Sequence, residues 1–227
     1  MMGLLGGAAL AALAALAGAQ GGAGARQGPR GNVEAGRGGP PPPPPEWPGA
    51  FEVGIRETNL WVLRTGGRFW YDASLQAERV DRDSGIGDRY CGTAHPLSRA
   101  PCSHVVTGGV RYLRFPERGE CCRCCDADHG CGFLRQDWLA DSTFQGSTTE
   151  GGEEAYKWEV SGLQSNYVWT AVADGRPLRV LQAPNDDMVL QPDFSPGPVD
   201  PAVFDVSDCR GECGGVCARL RGGGAPA

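Results

Sequence analysis

Five cysteines fall within the thirteen residues Glu120 to Gly132, ECCRCCDADHGCG, and this run constrains the fold more than any other stretch. The chain carries ten cysteines: Cys91, Cys102, Cys121, Cys122, Cys124, Cys125, Cys131, Cys209, Cys213 and Cys217. An even count in an oxidising compartment favours a disulfide framework. Adjacent cysteines rarely bond each other because the geometry is strained. If the CCRCC run is extended, Cys122 and Cys124 face one way and Cys121 and Cys125 the other. If none of these four pairs within the cluster, four outer cysteines must close on it and one outer pair remains. The tail CRGECGGVC, Cys209 to Cys217, is Gly-rich and poor in apolar residues, and is a natural source of partners.

The compartment is read from the N-terminus. An apolar run from Leu4 to about Leu16 is followed by Ala17-Gly18-Ala19, the small residues of a signal-peptidase site, so residues 1–19 read as a secretory signal. The basic flank is weak, which leaves an uncleaved anchor and an organelle transit peptide open. The run is shorter than the ~20 residues of a bilayer span, and the expected mature chain has no transmembrane segment. The expected location is secreted or the endomembrane lumen. Residues 20–50, rich in Gly and Pro with Pro40 to Pro45 unbroken, read as a disordered linker ending in a polyproline rod. Residues 51–217 make one domain, and 218–227 a flexible tail.

Metal and redox readings compete for the cluster. Cys121-x2-Cys124 and Cys125-x3-His129-x-Cys131 offer zinc-type ligands at short spacing. An oxidising compartment consumes such thiols, however, and a redox CxxC would want a βαβ context that is missing here. DADHGCG lacks an oxygen ligand at its fifth position, Gly130, and a Glu at its twelfth, so it is a poor calcium loop. Asp126 and Asp128 read as turn formers. The expectation is no metal and no cofactor. Basic residues total 21, of which Lys157 is the one lysine, but the net charge is -6, which argues against a nucleic-acid partner.

Elsewhere the pattern is β. Phe51, Val53 and Ile55 alternate with Glu52, Gly54 and Arg56. Leu60 to Asp72 reads as two strands around a Gly66-Gly67 turn, His104 to Phe115 as a hairpin at Gly108-Gly109, and Asn166 to Leu181 as a hairpin at Asp174-Gly175. In AYKWEV, Tyr156, Trp158 and Val160 share a face. Phe133 to Ala140 could form two helical turns, and Pro201 opens a one-turn helix. The fold class is mostly β: an antiparallel sheet with one or two short helices, stapled by disulfides. Aromatics on the expected strands, Trp61, Trp70, Tyr156, Trp158, Tyr167 and Trp169, either fill a core or line a cavity for an apolar ligand. His95, His104 and His129 are the available imidazoles, and for the first two the plain reading is structural or exposed. No GxSxG, HExxH, Walker A or strand-flanked GxGxxG is present, so an enzyme is not expected, with an unrecognised hydrolase the residual reading.

The stretches GGRFWYDASLQAERVDRD, Gly66 to Asp83, and APNDDMVLQPDFSPGPVDPAVFDVSDC, Ala183 to Cys209, resemble an early hairpin and the C-terminal ending of ependymin-related secreted proteins. The ordered part, around RYLRFPERGECCRCCDADHGCGFLRQDWL, also resembles uncharacterised cysteine-rich secreted proteins of unicellular eukaryotes and plants. The ependymin resemblance implies a curved sheet, a LolA-like half-barrel, with an apolar cleft for lipid-like molecules. The CCRCC run and the CRGECGGVC tail have no counterpart placed in ependymins, and the chain has no Asn-x-Ser/Thr sequon. The expected function is non-enzymatic binding of a hydrophobic small molecule or lipid. The alternative is a stapled structural or interaction domain contacting an extracellular protein or matrix.

Overall fold

The computed structural model describes residues 40–60, 62–161, 165–182 and 186–222, all within the unit Gly39–Ala227. Six strands run in chain order in the first half: β1 (Ala50–Asn59), β2 (Leu63–Asp72), β3 (Ala77–Arg82), β4 (Cys102–Thr107), β5 (Val110–Phe115) and β6 (Glu120–Asp126). Five more follow, β7 (Thr143–Glu150), β8 (Glu153–Val160), β9 (Asn166–Ala171), β10 (Pro177–Gln182) and β11 (Asp186–Leu190), with a two-residue β12 (Ser195–Pro196). Short helices α1 (Cys91–Ala94) and α2 (Val216–Arg221) complete the elements used below. None of the described helices is long and apolar enough to cross a membrane.

Each half is a meander, and the halves join where β1 pairs β11. The order is β6-β5-β4-β3-β2-β1-β11-β10-β9-β8-β7, antiparallel throughout and open, with β12 added on β1. This order forces the chain between β6 and β7 to cross from one edge of the sheet to the other. The crossing segment brings Phe133, Leu134, Trp138 and Leu139 over one face. There they meet Phe51, Val53, Phe69, Tyr71, Trp158 and Val168 in the aromatic core. Trp47, Phe51 and Tyr71 pack ring to ring, with centroids 5.4–6.4 Å apart. Full burial of side chains this size contributes about 1.5–3 kcal/mol each.

The crossing segment is not the helix that Phe133 to Ala140 predicts. Its polar groups go to the sheet instead: Trp47 N donates to Gln136 O at 3.0 Å, Tyr71 Oη to Leu134 O at 3.0 Å, and Leu134 N to Glu78 at 3.2 Å. A further correction concerns Gly66-Gly67, which lies inside β2 rather than at a turn. A Cβ on Gly67 would collide with the Asp81 carbonyl oxygen of β3, so these glycines serve close strand approach and not chain reversal. The reversal lies between Asn59 and Leu63, which pair. Asp186 and Asp187 open β11. Trp47 is 1% exposed and Leu220 3%, so the folded body extends past the expected limits of 51 and 217 at both ends. The hairpins at Gly108-Gly109 and Asp174-Gly175 form as expected, with positive φ at all three glycines. Pro201 opens a single 3-10 turn capped by Asp200.

All ten cysteines are paired: Cys91–Cys102, Cys121–Cys209, Cys122–Cys213, Cys124–Cys217 and Cys125–Cys131. Four outer cysteines close on the cluster and one outer pair remains, as the counting requires. The strict two-faced alternation does not hold. Arg111 pairs Cys125 while Tyr112 pairs Arg123, so Cys124 is the extra residue of a β-bulge, and Cys122, Cys124 and Cys125 are all buried. They form a second core with Leu113, Phe115, Val216 and Leu220. The tail also docks on β6 through the backbone: Arg210 N donates to Cys121 O, Arg123 N to Gly211 O and Cys213 N to Arg123 O, at 2.9–3.1 Å.

The three tail links span 88, 91 and 93 residues, but once one is closed the others close only short loops. Replacing both Cys124 and Cys217 by Ser should therefore cost only about 2 kcal/mol in guanidinium unfolding. Removing all three tail links should cost more than twice that, because the large loop is then released. Equal costs for the two variants would show that the tail is not held cooperatively.

Candidate functional site

β1 divides its side chains between two environments. Phe51, Val53, Ile55, Glu57 and Asn59 are buried on one face, and Glu52, Gly54, Arg56 and Thr58 lie on the other. On the first face the apolar run gives way to charge. Glu57 is 1% exposed and accepts from Arg82 Nε at 2.5 Å and Arg82 Nη2 at 2.7 Å. Arg82 Nε also lies 3.7 Å from Asp88. His104 Nε2 lies 3.0 Å from Asp88, and Arg111 donates to His104 Nδ1 at 3.1 Å. Arg111 reaches Glu78 at 3.8 Å. The row runs from β1 through β3 and β4 to β5, and takes Asp88 from the segment between β3 and β4.

Burial would raise the carboxyl of Glu57, but the Arg82 charge and hydrogen bonds outweigh it and hold Glu57 below the usual range. Burial likewise opposes ionisation of Asp88, yet His104, Arg82 and backbone N–H donors keep it well below an ordinary aspartate. Burial and the nearby arginines push His104 down despite Asp88, so at neutral pH the ring is uncharged, donates from Nε2 and accepts at Nδ1. Asp186, at the start of β11, is pushed up to about 8 by burial and by the Glu57 charge. Glu57 and Asp186 thus hold one proton between them near neutral pH. The sequence signal for this row was the continuation of the β1 alternation through Glu57 and Asn59, which places an acid in the buried phase.

On the opposite side of β1 is a groove of about 660 Å³. It is lined by the ends of several strands: Arg56, Thr58, Arg64 and Gly66 from the β1–β2 hairpin, Glu150 and Glu153 at the β7–β8 turn, and Arg176 to Leu178 and Val189 to Pro192. Glu153 is paired with Arg176 at 2.5 Å and Glu150 with Arg179 at 3.2 Å. Arg56 and Arg64 form no ion pair among the described residues. Glu57 borders this groove, but its side chain is fully buried and bound to Arg82. The groove therefore has apolar walls in Pro177, Leu178, Val189 and Pro192 and two arginines outside any ion pair among the described residues, with the Asp83 carboxylate over Gly66 as the nearby negative charge.

None of the five described aromatic candidates lines this groove. Tyr156 and Trp158 lie in the aromatic core beside Phe144, with Trp158 Nε1 donating to Thr170 at 3.0 Å. Tyr167 and Trp169 project from the other face under Lys157 and Arg179, whose charges lie 4.2 Å and 4.7 Å from the respective ring centroids. Trp70 borders a smaller hollow of about 370 Å³ with Glu52 and Pro196, between Arg68 and Arg79. Trp61 lies outside the described residues. His95 pairs with Glu120 at 2.9 Å and His129 with Asp126 at 2.5 Å. Of the groove residues, Arg56 is signalled by the β1 alternation, and the others join it only through strand order.

No protein-family model matches the chain, and no curated protein matches it. Among solved structures, an uncharacterised conserved protein from Thermus thermophilus is similar at 13% identity, covering 71% of this chain and 88% of that one with a TM-score of 0.47. LolA superfamily protein NE2245 from Nitrosomonas europaea shares 11% identity over 70% of this chain and 91% of its own, with a TM-score of 0.33. The Pseudomonas aeruginosa MucA/MucB complex matches at 14% identity over 71% and 57%, with a TM-score of 0.40. At these scores the likeness carries no functional inference.

The shared proton gives a pH signature. Folded Asp186 keeps its proton up to about pH 8, whereas the unfolded residue loses it near pH 4, so its contribution to stability falls across that window as pH rises. Asp186→Asn has no proton to lose. The urea midpoint of the variant relative to the parent should therefore rise between about pH 5 and pH 8. A difference that does not change with pH would show that Asp186 is ionised throughout.

Proposed function

We propose that this chain is a secreted, non-enzymatic binding protein whose ligand is an anionic amphiphile, lipid-like in having a long apolar part and an acidic head, held in the groove beside β1. The observation that carries this reading is the pair Arg56 and Arg64, exposed and without an ion pair among the described residues, on a groove with apolar walls. Its volume falls in the range of small-molecule sites. An apolar tail would cover Leu178 and Val189, and the head would meet the guanidinium groups. The resemblance to ependymin-related proteins agrees with a lipid-like ligand. Five disulfides favour an oxidising compartment.

The non-enzymatic part of the reading rests on where the ionisable groups are. Asp88, His104 and Glu57 are committed to one another beneath the sheet, and Glu150 and Glu153 are committed to arginines. No base-and-nucleophile pair is presented to the groove by its described lining.

Titration with 11-(dansylamino)undecanoic acid, a fluorescent fatty-acid analogue, tests this. The parent chain should bind it saturably with a blue-shifted emission. Arg56→Ala with Arg64→Ala should weaken binding by at least about tenfold, the worth of one charge-assisted hydrogen bond. Unchanged affinity in the double variant, or no saturable binding by the parent, would contradict the reading.

A further inference from the structure

The tip of the β1–β2 hairpin departs from what folding alone would select. Asn59 pairs with Leu63, so the loop is three residues long, and Val62 N donates to Asn59 O at 3.2 Å. Leu60 has φ 49°, a left-handed conformation that Gly or Asn adopts more readily. Leu60 is 50% exposed and Val62 74% exposed. Two branched apolar side chains thus stand in water at a position where a polar turn would cost less. Leu97 is also left-handed and exposed, but it stands as a single apolar side chain, whereas at this tip two exposed apolar side chains stand together, which points to a role in contact with something else.

The charges behind the tip say what that is. Arg64 and Arg56 lie on one face of the hairpin, because Arg64 pairs with Thr58, two residues from Arg56 along β1. At the rise of a strand, Arg64 stands ~7 Å behind Val62 and Arg56 ~13 Å behind Leu60. Both arginines are exposed. Of the acids near them in register, Asp187 is engaged with Arg179 and Glu57 with Arg82 on the other face, while Asp83, whose carboxylate lies over Gly66, forms no ion pair among the described residues and offsets part of this charge. On a chain of net charge -6, this is a local cationic collar around an apolar point.

We propose that the β1–β2 tip docks the protein on an anionic lipid surface. Leu60 and Val62 enter the boundary between headgroups and acyl chains, and Arg64 and Arg56 meet lipid phosphates. Apolar side chains at an interface sink ~5–10 Å, which brings Arg64 to the headgroup level. The groove shares the two arginines, so docking would set its mouth against the layer from which an amphiphile could be drawn. That link rests on the ligand reading above, whereas docking itself does not.

The experiment is co-sedimentation of the chain, purified from its host, with vesicles of phosphatidylcholine alone and with added phosphatidylglycerol. Binding should require phosphatidylglycerol and weaken with salt. Val62→Asp should lower the bound fraction at least about tenfold, and Arg64→Ala about fivefold. Val62→Ser provides a second, milder variant at a site that contributes nothing to the core. Val62→Ser should leave the dansyl titration unchanged, since Val62 is not part of the groove lining and the change adds no charge beside Arg64. Equal sedimentation of the parent and both Val62 variants, equal binding to neutral vesicles, or no binding at all would overturn the docking proposal. Loss of dansyl binding with Val62-sensitive sedimentation intact would overturn the ligand reading alone.

Discussion

Three disulfides fasten residues 209–217 to β6, and the rest of the first meander depends on that seam. An edge strand offers a row of unpaired backbone groups to any passing chain. Here the tail satisfies part of that row by hydrogen bonds from Arg210, Arg123 and Cys213, and the sulfurs make the contact permanent. The bulge at Cys124 is the local adjustment that lets neighbouring half-cystines both turn inward. Arg221 of α2 then donates to the carbonyls of Arg123, Cys124 and Cys213, so the helix closes over the seam it helped to build. The resulting core contains few large hydrocarbons, and sulfur supplies much of its packing.

From this seam to the far meander, one face of the sheet carries three successive interiors: cystine, ionic and aromatic. The ionic row is the expensive one, since buried charges are tolerated only when paired. Arg82 is held between Glu57 and Asp88, and Asp88 between Arg82 and neutral His104, so each ion has a partner of opposite sign or a donor. Because β1 is central in the strand order, the same strand that anchors this row by Glu57 presents Arg56 to the groove on its reverse side. The buried ionic row beneath and the proposed binding groove above are two consequences of one alternating sequence.

What could be read from the sequence follows from which signals are local. The disulfide count, the hairpins at Gly108-Gly109 and Asp174-Gly175 and the alternation of Phe51, Val53 and Ile55 are all short-range, and each reappears in the fold. Gly66-Gly67 misled because a glycine pair suits both a turn and a close strand crossing, and only the position of Asp81 distinguishes them. Phe133 to Ala140 misled because its length and composition suit a helix, while the strand order obliges it to span the sheet and give its polar groups to Trp47, Tyr71 and Glu78. The groove was not legible, since Arg56 and Arg64 share one hairpin but Glu153 and Val189 are far from them in sequence and join them only through the β1–β11 junction. The aromatics drew attention as single residues, but alternation along β8 and β9 sends Trp158 and Trp169 to opposite faces.

The seam is also the part of this account most open to direct measurement. Trypsin cuts after Arg123 and Arg210, which separates Cys121 and Cys122 from Cys124 and Cys125, and Cys209 from Cys213 and Cys217. Mass spectrometry of the non-reduced digest should find the Cys121–Cys122 peptide joined to both tail peptides, and Cys91 joined to Cys102 in a separate product. Tail cysteines bonded to one another, or free thiols in the CCRCC run, would contradict the stapled sheet.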